Sequence, residues 1–345
     1  MRLAIVFGGE SYEHEISIVS AIALKKVVFC ELIYIFCDKK RDFYLIPSDE
    51  ITSKRFSSGK YLSDTKLTLK SGGFYFKKML KENRVKFDVA INIIHGADGE
   101  DGKIAALFDF FNIPYIGPGI EASVVSYNKF FTKLYAQSLN INTLKYELLS
   151  KNNREVTLPF PIIVKPLRLG SSIGVSVVKD KKELEYALDV AFEFDDEVLV
   201  EPFVENVTEY NIAGCKIKNN IRYSIVEEPQ KELFLDFDKK YLDFSRTNKV
   251  FEARVTEILH QEIRKNFKSL YEPLFEGAII RCDFFVIKNR VYLNEINPNP
   301  GSLANYLFEE FSALVQDLAL NLPKRRKISV SYKYINSIQS AKGKA

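Results

Sequence analysis

The segment 281–302, RCDFFVIKNRVYLNEINPNPGS, carries four polar residues among apolar residues that are typical of buried strands. A hairpin turn centred on the KNR tripeptide predicts that Asp283 lies opposite Glu295. The same turn places Arg281 opposite Asn297, and all four side chains then share one face. Opposed carboxylates repel, so a shared proton, a buried arginine or a cation must compensate. The hairpin is therefore the first candidate for a functional site.

Two interpretations of this hairpin follow from its residue types. Asp283, Glu295 and Asn297 offer only oxygen ligands, which suit a hard ion such as Mg²⁺ better than Zn²⁺. Alternatively, Arg281, Asp283 and Glu295 form an ion network with a structural role. The spacing favours a metal site and leaves the ion network open.

A second group of candidates lies in the segment 162–174, IIVKPLRLGSSIG. Lys165 ends a predicted strand, and a loop containing Ser171 and Ser172 leads to the next strand. Such a loop can direct backbone N–H and hydroxyl groups toward phosphate. It is not a Walker A loop, because the GK[ST] sequence and the following helix are both missing. A plain glycine-containing hairpin is the alternative.

Acidic residues follow the first predicted strand in the motif GGESYEHEIS. Gly8 and Gly9 allow a sharp turn at a location where doubly wound sheets commonly bind ligands. Glu13 and Glu15 come near the start of the next helix, where carboxylates ordinarily complement the helix dipole. The functional alternative is that one of them projects into the crevice and binds an ammonium group.

Two further segments carry polar residues that could join a site. In HGADGEDG, His95 follows a predicted strand and is either a structural histidine or a site residue, while the acidic residues either bind a cation or form the turn. In DFDKKYLDFS, Lys240 and Tyr241 belong to a site or to a solvated loop. The residue types leave these alternatives open.

The elements that position the N-terminal candidates predict an α/β layer. A strand at 2–7, a helix and a second strand open the chain, and another strand and a short helix flank the motif at His95. The segment 50–86 is polar and is expected to form loops with a small hairpin. Turn residues place a first domain boundary near Gly117.

The remaining elements alternate between strands and helices. The segment 121–141 has helical periodicity, and a strand–loop–strand unit around Lys165 precedes a helix at 181–192. A strand near 197–204 marks a second boundary. From there the sequence predicts mostly strands up to the hairpin, and helix from about Ala304.

Composition places the chain among soluble globular proteins of two or three domains, with 345 residues, 46% hydrophobic and 27% charged. No signal peptide and no membrane span are expected. The four cysteines lack a C-x-x-C spacing, so zinc is not expected and the thiols are predicted to be free in a reducing cytosol. The net charge of +4 depends on a basic tail with seven Lys or Arg and no acid in 22 residues, and nucleic-acid binding is not expected.

Six motifs together resemble the D-alanine–D-alanine ligases of the ATP-grasp superfamily: GGESYEHEIS, HGADGEDG, IVKPLRLGSSIGV, KKYLDF, RCDFF and NEINPNPGS. The resemblance covers about residues 3 to 320. It implies an α/β (α+β) ATP-grasp fold in which the nucleotide lies between two antiparallel sheets. Three domains are implied: a substrate-side domain at 1–117, a central domain at 118–200, and a C-terminal domain at 201–345 with the metal site and the basic tail.

The resemblance also implies a function, the ATP-dependent ligation of two D-alanines through an acyl phosphate for peptidoglycan precursor synthesis. It implies a cytoplasmic enzyme, a homodimer, and two Mg²⁺ ions (with Mn²⁺ as a substitute) held by Asp283, Glu295 and Asn297. Arg281 would steady the transferring phosphoryl group. The residues implied to contact ATP are Lys129, Lys165, Ser171, Ser172, Glu201, Phe203, Val204, Glu209 and Lys240.

Substrate contacts are implied in the same way. Glu13 would bind the ammonium group of the first D-alanine, and a hydrogen-bonded set of Glu13, Ser171 and Tyr241 would hold a lid closed. Family members that make a D-lactate ester carry Phe at the position of Tyr241, so tyrosine favours an amine nucleophile. The residues implied to contact the substrates are Glu13, His95, Arg281, Gly301, Ser302, Tyr306 and Leu307.

Two alternative functions compete with D-alanine ligation. One is another ATP-grasp ligase, such as a D-alanine–D-lactate ligase, and the sequence PGSLANYLF departs from the commoner family ending of the second-substrate pocket. The other is a non-catalytic nucleotide-binding protein. That reading predicts a loss among Lys165, Arg281, Asp283, Glu295 and Asn297, and all five are present.

Overall fold

The computed structural model describes residues 1–79, 81–205, 207–229, 250–324 and 328–341. Its named strands form one eight-stranded sheet and two four-stranded sheets. Within these ranges, the fold is mixed α/β, as predicted. No helix in them is long and apolar enough to cross a membrane. The four cysteines are free thiols.

The N-terminal sheet has a parallel centre and an antiparallel extension, in the strand order β6-β5-β4-β3-β2-β1-β7-β8. In β1, residues 3–7 are fully buried, as expected for a parallel strand covered on both faces. Its strands are β1 (Arg2–Gly8), β2 (Glu31–Cys37), β3 (Phe43–Ile46), β4 (Thr65–Lys70), β5 (Gly73–Lys78), β6 (Lys81–Arg84), β7 (Val89–Asn92) and β8 (Tyr115–Ile116). The helices are α1 (His14–Val27), α2 (Ser53–Ser57) and α3 (Lys103–Phe110).

The prediction of loops with one small hairpin for 50–86 was incomplete. Helix α2, 3₁₀ turns and three consecutive antiparallel strands occupy this segment, and the strands extend the sheet. Leu67 and Phe74 are buried against the core, while most neighbouring side chains are polar and at least partly exposed. The hydrophobic pattern in this part of the sequence was weak because so few residues of these edge strands face the core.

The central sheet is antiparallel and has the strand order β11-β10-β12-β9. The helical pattern over 121–141 proved to be two helices, which meet at Asn128. The Asn128 side chain accepts hydrogen bonds from the backbone N–H groups of Phe130 and Phe131 and so caps the second helix. The elements are α4 (Ile120–Tyr127), α5 (Lys129–Ser138), β9 (Glu147–Ser150), β10 (Ile162–Pro166), β11 (Ser176–Val178), α6 (Lys181–Phe192) and β12 (Glu197–Pro202).

The C-terminal sheet is also antiparallel, with the order β14-β13-β15-β16. The prediction of mostly strands before the hairpin missed a helix at Glu257–Tyr271. Ile263, Phe267 and Leu270 are buried at helical spacing on one face, which is the signal that could have predicted it. The elements are β13 (Thr208–Ile217), β14 (Asn220–Glu227), α7 (Glu257–Tyr271), β15 (Ile280–Ile287), β16 (Arg290–Asn297), a 3₁₀ segment (Gly301–Leu307), α8 (Phe311–Leu320) and α9 (Ile335–Ala341).

Two hydrophobic clusters pack helices and the 3₁₀ segment against the C-terminal and N-terminal sheets. One joins residues of α4 and α5 to the C-terminal sheet, with Ala122 and Ala136 packed among residues such as Ile296. The other joins the 3₁₀ segment and α8 to the N-terminal sheet. The chain that follows the hairpin therefore packs back onto the first sheet and brings the N-terminal and C-terminal sheets together.

Candidate active site

A cavity of about 170 Å³ lies where the three sheets come together. The N-terminal sheet contributes residues that follow β1 and β7, the central sheet contributes β10 and the loop after it, and the C-terminal sheet contributes β13, β15 and β16. Its lining includes Glu13, His95, Glu100, Lys129, Lys165, Ser171, Ser172, Glu209, Asn211, Arg281, Asp283, Asn294, Glu295, Asn297, Asn299 and Gly301.

The β15–β16 hairpin has the predicted functional pairs but a different turn. Asp283 pairs with Glu295 and Arg281 pairs with Asn297, as predicted. The turn was predicted to be centred on KNR, but Ile287 pairs directly with Arg290. The two residues between them, 288 and 289, have φ values of 49° and 60°, which is typical of a tight two-residue hairpin turn.

A β-bulge reconciles this turn with the predicted pairs. The pairing shifts between Asp283 and Phe284, so that Asn294 is one extra residue on β16. Leu293 and Ile296 are buried in the core on either side, while Asn294 and Glu295 both line the cavity. The bulge therefore adds a polar side chain to the cavity wall without disturbing the Asp283–Glu295 pair.

Asp283 is the centre of the polar group on the hairpin. Its carboxylate accepts two hydrogen bonds from Arg281, at 2.7 Å to Nε and 2.8 Å to Nη2, and one from Asn297 Nδ2 at 3.0 Å. Burial raises the pKa of Asp283, and Glu295 raises it further, while Arg281 opposes both. The contact between Arg281 and Asp283 that belongs to the ion-network interpretation is thus present in the structure.

The same residues also have the chemistry of a divalent-cation site. No group of three or more His, Cys, Asp or Glu side chains in the described ranges is placed to hold a metal. Asp283, Glu295 and Asn297 supply two carboxylates and one amide, which is the partial ligand set that Mg²⁺ uses beside substrate phosphates. Within the described residues, Asn211 Oδ1 and Asn299 Oδ1 are buried in the cavity wall without a hydrogen-bond partner. The cavity wall therefore fits a cation and its ligands.

Lysines lie on the opposite wall, from the central sheet and α5. Lys165 donates a hydrogen bond to Glu201 Oε2 at 2.8 Å and another to Asn294 Oδ1 at 3.4 Å. Burial acts to lower the pKa of Lys165, but Glu201 outweighs it and the pKa is raised. Lys129 donates to the carbonyl of Leu169, and burial lowers its pKa. The lysines bring positive charge to a cavity whose other wall is acidic.

Glu13 connects the N-terminal sheet to the loop of the central sheet. It is buried at the start of α1, and its Oε1 accepts a hydrogen bond of 2.5 Å from Ser171 Oγ. Burial raises the pKa of Glu13 to about 7, with a further contribution from Glu100, while Ser171 lowers it. Gly96 is required nearby, because its φ is 69° and a Cβ there would lie 2.6 Å from Glu13 Oε2.

His95 is buried and interacts through both ring nitrogens. Nε2 lies 3.0 Å from Ser20 Oγ, and Nδ1 lies 3.5 Å from Glu100 Oε1. Burial lowers the pKa of His95 to about 4 and raises that of Glu100 to about 8. Ser20 Oγ also accepts a hydrogen bond from the backbone N–H of Ser302 at 3.1 Å. His95 is therefore neutral at pH 7 and is coupled to the segment after the hairpin.

The cavity does not include every predicted site residue. Ser302, Tyr306 and Leu307 are buried behind the cavity wall, and Tyr306 donates a hydrogen bond to Glu227 at 3.4 Å. Phe203 and Val204 are partly buried after β12 and do not line the cavity either. Two of the predicted residues, Lys240 and Tyr241, lie outside the described residues.

Four residues of this region were missed as site candidates. Asn211 and Asn294 lie on strands and Asn299 lies just beyond one, where single asparagines give no sequence signal until the strand pairing is known. Lys133 is buried on α5 and forms an ion pair with Glu201. Its signal was available, because it follows Lys129 by four residues and so lies on the same helical face. Glu100 was interpreted only as a turn or cation-binding residue, yet it lies beside His95.

Two antiparallel four-stranded sheets that place lysines and carboxylates on the two sides of one cavity define the class: this is an ATP-grasp protein. Family models agree at a finer level, since the model described as D-ala D-ala ligase N-terminus matches residues 2–118 and the one described as D-ala D-ala ligase C-terminus matches residues 135–315. The chain belongs to the D-alanine–D-alanine ligase family. Members of this family are ATP-dependent ligases, whose reaction implies a divalent metal.

Individual relatives support the same placement. The chain is 59% identical over 345 residues to a D-alanine–D-alanine ligase of Wolinella succinogenes and 57% identical to that of Campylobacter lari, with all of each chain covered. A crystal structure of the ligase from Helicobacter pylori has a TM-score of 0.85 and 49% identity, covering 94% of this chain and all of that one. The Coxiella burnetii ligase, at 23% identity, has a TM-score of 0.75, which supports the fold.

Proposed function

We propose that the protein ligates two D-alanine molecules to D-alanyl-D-alanine with conversion of ATP to ADP and phosphate, and so supplies a peptidoglycan precursor. One observation carries this proposal beyond family membership. Lys165 of the central sheet and the Asp283–Glu295 pair of the C-terminal sheet line a single cavity, and Glu13 reaches it from the N-terminal sheet. Residues that could bind a phosphate, a cation and an ammonium group thus line the same cavity.

ATP would lie between the two four-stranded sheets. Lys129, Lys165 and the loop with Ser171 and Ser172 line the cavity and would contact its phosphates, with Lys165 also near the adenine. The division into domains at 1–117, 118–200 and 201–345 belongs to the proposal, and it is supported by the presence of one sheet in each. The remaining proposed contacts to ATP are Glu201, Phe203 and Val204 around the adenine, Glu209 at the ribose and Lys240 at the γ-phosphate.

Asp283, Glu295 and Asn297 would hold two Mg²⁺ ions, and Mn²⁺ could replace them. When bound, the ions would neutralise negative charge on the phosphoryl oxygens. Arg281 already lies within hydrogen-bond distance of Asp283, so its guanidinium would be held beside the transferring group. These residues supply charge and position, which are the main requirements of phosphoryl transfer.

The reaction would proceed in two balanced steps. A carboxylate oxygen of the first D-alanine attacks the γ-phosphorus of ATP, the bond to the β–γ bridging oxygen breaks, and an acyl phosphate and ADP form. The neutral amine of the second D-alanine then attacks the acyl carbon and forms the C–N bond, the carbon–oxygen bond to phosphate breaks, and the surplus amine proton leaves with the phosphate. Arg281 and the Gly301 N–H would stabilise the oxyanion of the tetrahedral intermediate.

Glu13 would bind the ammonium group of the first D-alanine from the buried start of α1. The 2.5 Å hydrogen bond between Glu13 and Ser171 supports its proposed role in closing the phosphate loop over the substrates, together with Tyr241. Tyr241 would also favour an amine over a hydroxyl nucleophile. His95 would position the substrate side of the cavity, while Ser302, Tyr306 and Leu307 would shape the second-substrate pocket from behind its wall.

A cytoplasmic location and a homodimer complete the proposal, and both rest on family membership. The decisive experiment incubates the purified protein with ATP, Mg²⁺ and D-alanine, and measures ADP release together with the product mass. We expect D-alanyl-D-alanine. Parallel reactions add D-lactate or L-alanine, and a protein that releases ADP only with D-lactate present would contradict the proposed specificity. Absence of D-alanine-dependent ADP release would overturn the function.

A further inference from the structure

Lys133 is a buried lysine that does not line the cavity. It lies on α5, and its side chain is 2% exposed. Its ammonium group forms an ion pair with Glu201 Oε1, and Glu201 is 1% exposed on β12. It also lies 5.7 Å from the centre of the Tyr146 ring. A lysine so deeply buried is rare unless it is paired, and its charge here has only one carboxylate partner in the described residues.

Glu201 is shared between two lysines, one on each carboxylate oxygen. Oε1 faces Lys133, and Oε2 accepts the hydrogen bond from Lys165 at 2.8 Å. Burial acts to raise the pKa of Glu201, but Lys165 and Lys133 outweigh it and lower the pKa to about 2. The carboxylate is therefore ionised at pH 7. Burial lowers the pKa of Lys133 and Glu201 opposes this, and with both lysines protonated the three side chains carry one net positive charge.

That net charge depends on Lys133. Without it, Glu201 and Lys165 would form a neutral pair, and the Lys165 ammonium would be held by a carboxylate with no competing partner. With Lys133 present, a second ammonium group neutralises Glu201. The positive charge of the Lys165 ammonium, which faces the cavity, then remains available to a ligand. The charge of Lys133 can influence Lys165 through Glu201 because little water screens charges in buried surroundings.

We propose that Lys133 is a positioning residue that neutralises Glu201 and so reserves the charge of Lys165 for the phosphates of the nucleotide. The inference rests on the proposed function in one respect, namely that Lys165 contacts those phosphates. It assigns Lys133 no contact with substrate. A purely structural lysine would only hold α5 against β12. Its loss would destabilise the fold but would not weaken the binding of the nucleotide phosphates more than the binding of the base.

The test compares nucleotide binding with nucleoside binding in the full chain. Lys133→Met removes the charge at similar length, and Lys133→Arg retains it. Isothermal titration calorimetry without D-alanine measures the Kd values of ADP and adenosine, and thermal unfolding controls for stability. We expect Lys133→Met to weaken ADP binding on the order of tenfold or more and adenosine binding less than about twofold. Lys133→Arg should recover most of the ADP affinity.

A double-variant cycle with Glu201→Gln isolates the charge effect. Each variant is judged by the ratio of its ADP and adenosine affinities, so that any direct effect of Glu201 on the base cancels. The net charge of the three side chains is +1 in the natural protein, 0 in Lys133→Met, +2 in Glu201→Gln and +1 in the double variant. We expect the ratio of ADP affinity to adenosine affinity to rise with this net charge. It should be lowest in Lys133→Met and highest in Glu201→Gln, and the double variant should lie close to the natural protein.

Two results would overturn the inference. In one, Lys133→Met leaves ADP affinity unchanged; in the other, it weakens ADP and adenosine equally, which shows a structural or base-side role. If Lys133→Met does not fold, the double variant, which removes both buried charges, still decides the question. An ADP-to-adenosine affinity ratio well below that of the natural protein would then overturn the inference. Failure of the proposed function is distinct, because the natural protein itself would then not release ADP with D-alanine.

Discussion

The central and C-terminal sheets have the same size and the same antiparallel arrangement, yet they present opposite charges to the cavity. The central sheet offers Lys165 and a long loop with Ser171, while the C-terminal sheet offers Asp283 and Glu295. Strand alternation directs these side chains to one face in both cases. The difference shows that two sheets of the same architecture can present opposite charges, and the proposed phosphate and cation sites differ in charge rather than in sheet arrangement.

The two hairpins also differ in their connections. Strands β10 and β11 are joined by the glycine- and serine-containing loop at 167–175, whereas a two-residue turn joins β15 and β16. A short turn fixes its strands, and a longer loop can adjust to a ligand. We infer that the acidic sheet is the fixed half of the site and the basic sheet carries the adjustable half.

The largest expected effect comes from the fixed half. Glu295→Gln keeps the shape of the side chain but removes one of two opposed carboxylates, so cation binding should fail. We expect kcat to fall about a thousandfold or more, with unchanged unfolding temperature. Steady-state ADP release measures the loss. The exposed Glu185→Gln on α6 is the matched control, and near-natural activity of Glu295→Gln would refute the metal assignment.

Removing the main charge of the basic sheet should have a smaller effect. Lys165→Met eliminates the ammonium that faces the cavity but leaves Glu201 paired with Lys133, so the fold should persist. We expect the KM for ATP to rise on the order of 30- to 100-fold, since one charge-assisted contact to phosphate is lost. Lys182→Met, on the exposed surface of α6, serves as control. An unchanged KM would remove Lys165 from the phosphate site.

A contact between the two sheets should have an intermediate effect. Asn294, the bulge residue, accepts a hydrogen bond from Lys165 at 3.4 Å and thereby links the acidic strand to the basic one. Asn294→Ala should raise the KM for ATP about three- to tenfold and leave the affinity for D-alanine unchanged. Initial-rate measurements over both substrates test this. A change confined to D-alanine would contradict the assignment.

The third wall of the cavity should give an effect that depends on pH. Because the pKa of Glu13 is raised to about 7, the carboxylate is mostly protonated at pH 6 and mostly ionised at pH 8. An ammonium substrate needs the ionised form, so we expect the KM for the first D-alanine to fall about tenfold between these pH values. The Ser171 hydrogen bond lowers this pKa, so Ser171→Ala should move the profile to higher pH. A KM that is constant with pH would separate Glu13 from substrate binding.

Much of this site could be predicted because its chemistry is local in sequence. Asp283 and Glu295 belong to one hairpin, and alternation alone placed them opposite each other even though the predicted turn was wrong by one residue. The bulge at Asn294 compensates for that residue, and nothing in the sequence marks it.

Other features depend on contacts between distant segments. Lys133 and Glu201 meet only because α5 packs near β12, and periodicity cannot place one element against another. The edge strands β4–β6 and helix α7 were missed for a different reason. Their exposed faces are polar, so only a few residues such as Leu67 and Phe267 carried the pattern.

The 3₁₀ segment after the hairpin has a further consequence. Ser302, Leu303 and Ala304 have φ values of 48°, 55° and 52°, a left-handed conformation that disfavours side chains by roughly 1–2 kcal/mol per residue. Glycine at position 304 would relieve part of that strain but would remove a fully buried methyl group from the core, so the two contributions to stability oppose each other. It would also loosen the backbone that leads to Tyr306, so its clearest expected consequence is poorer discrimination among second substrates if Tyr306 shapes that pocket as proposed.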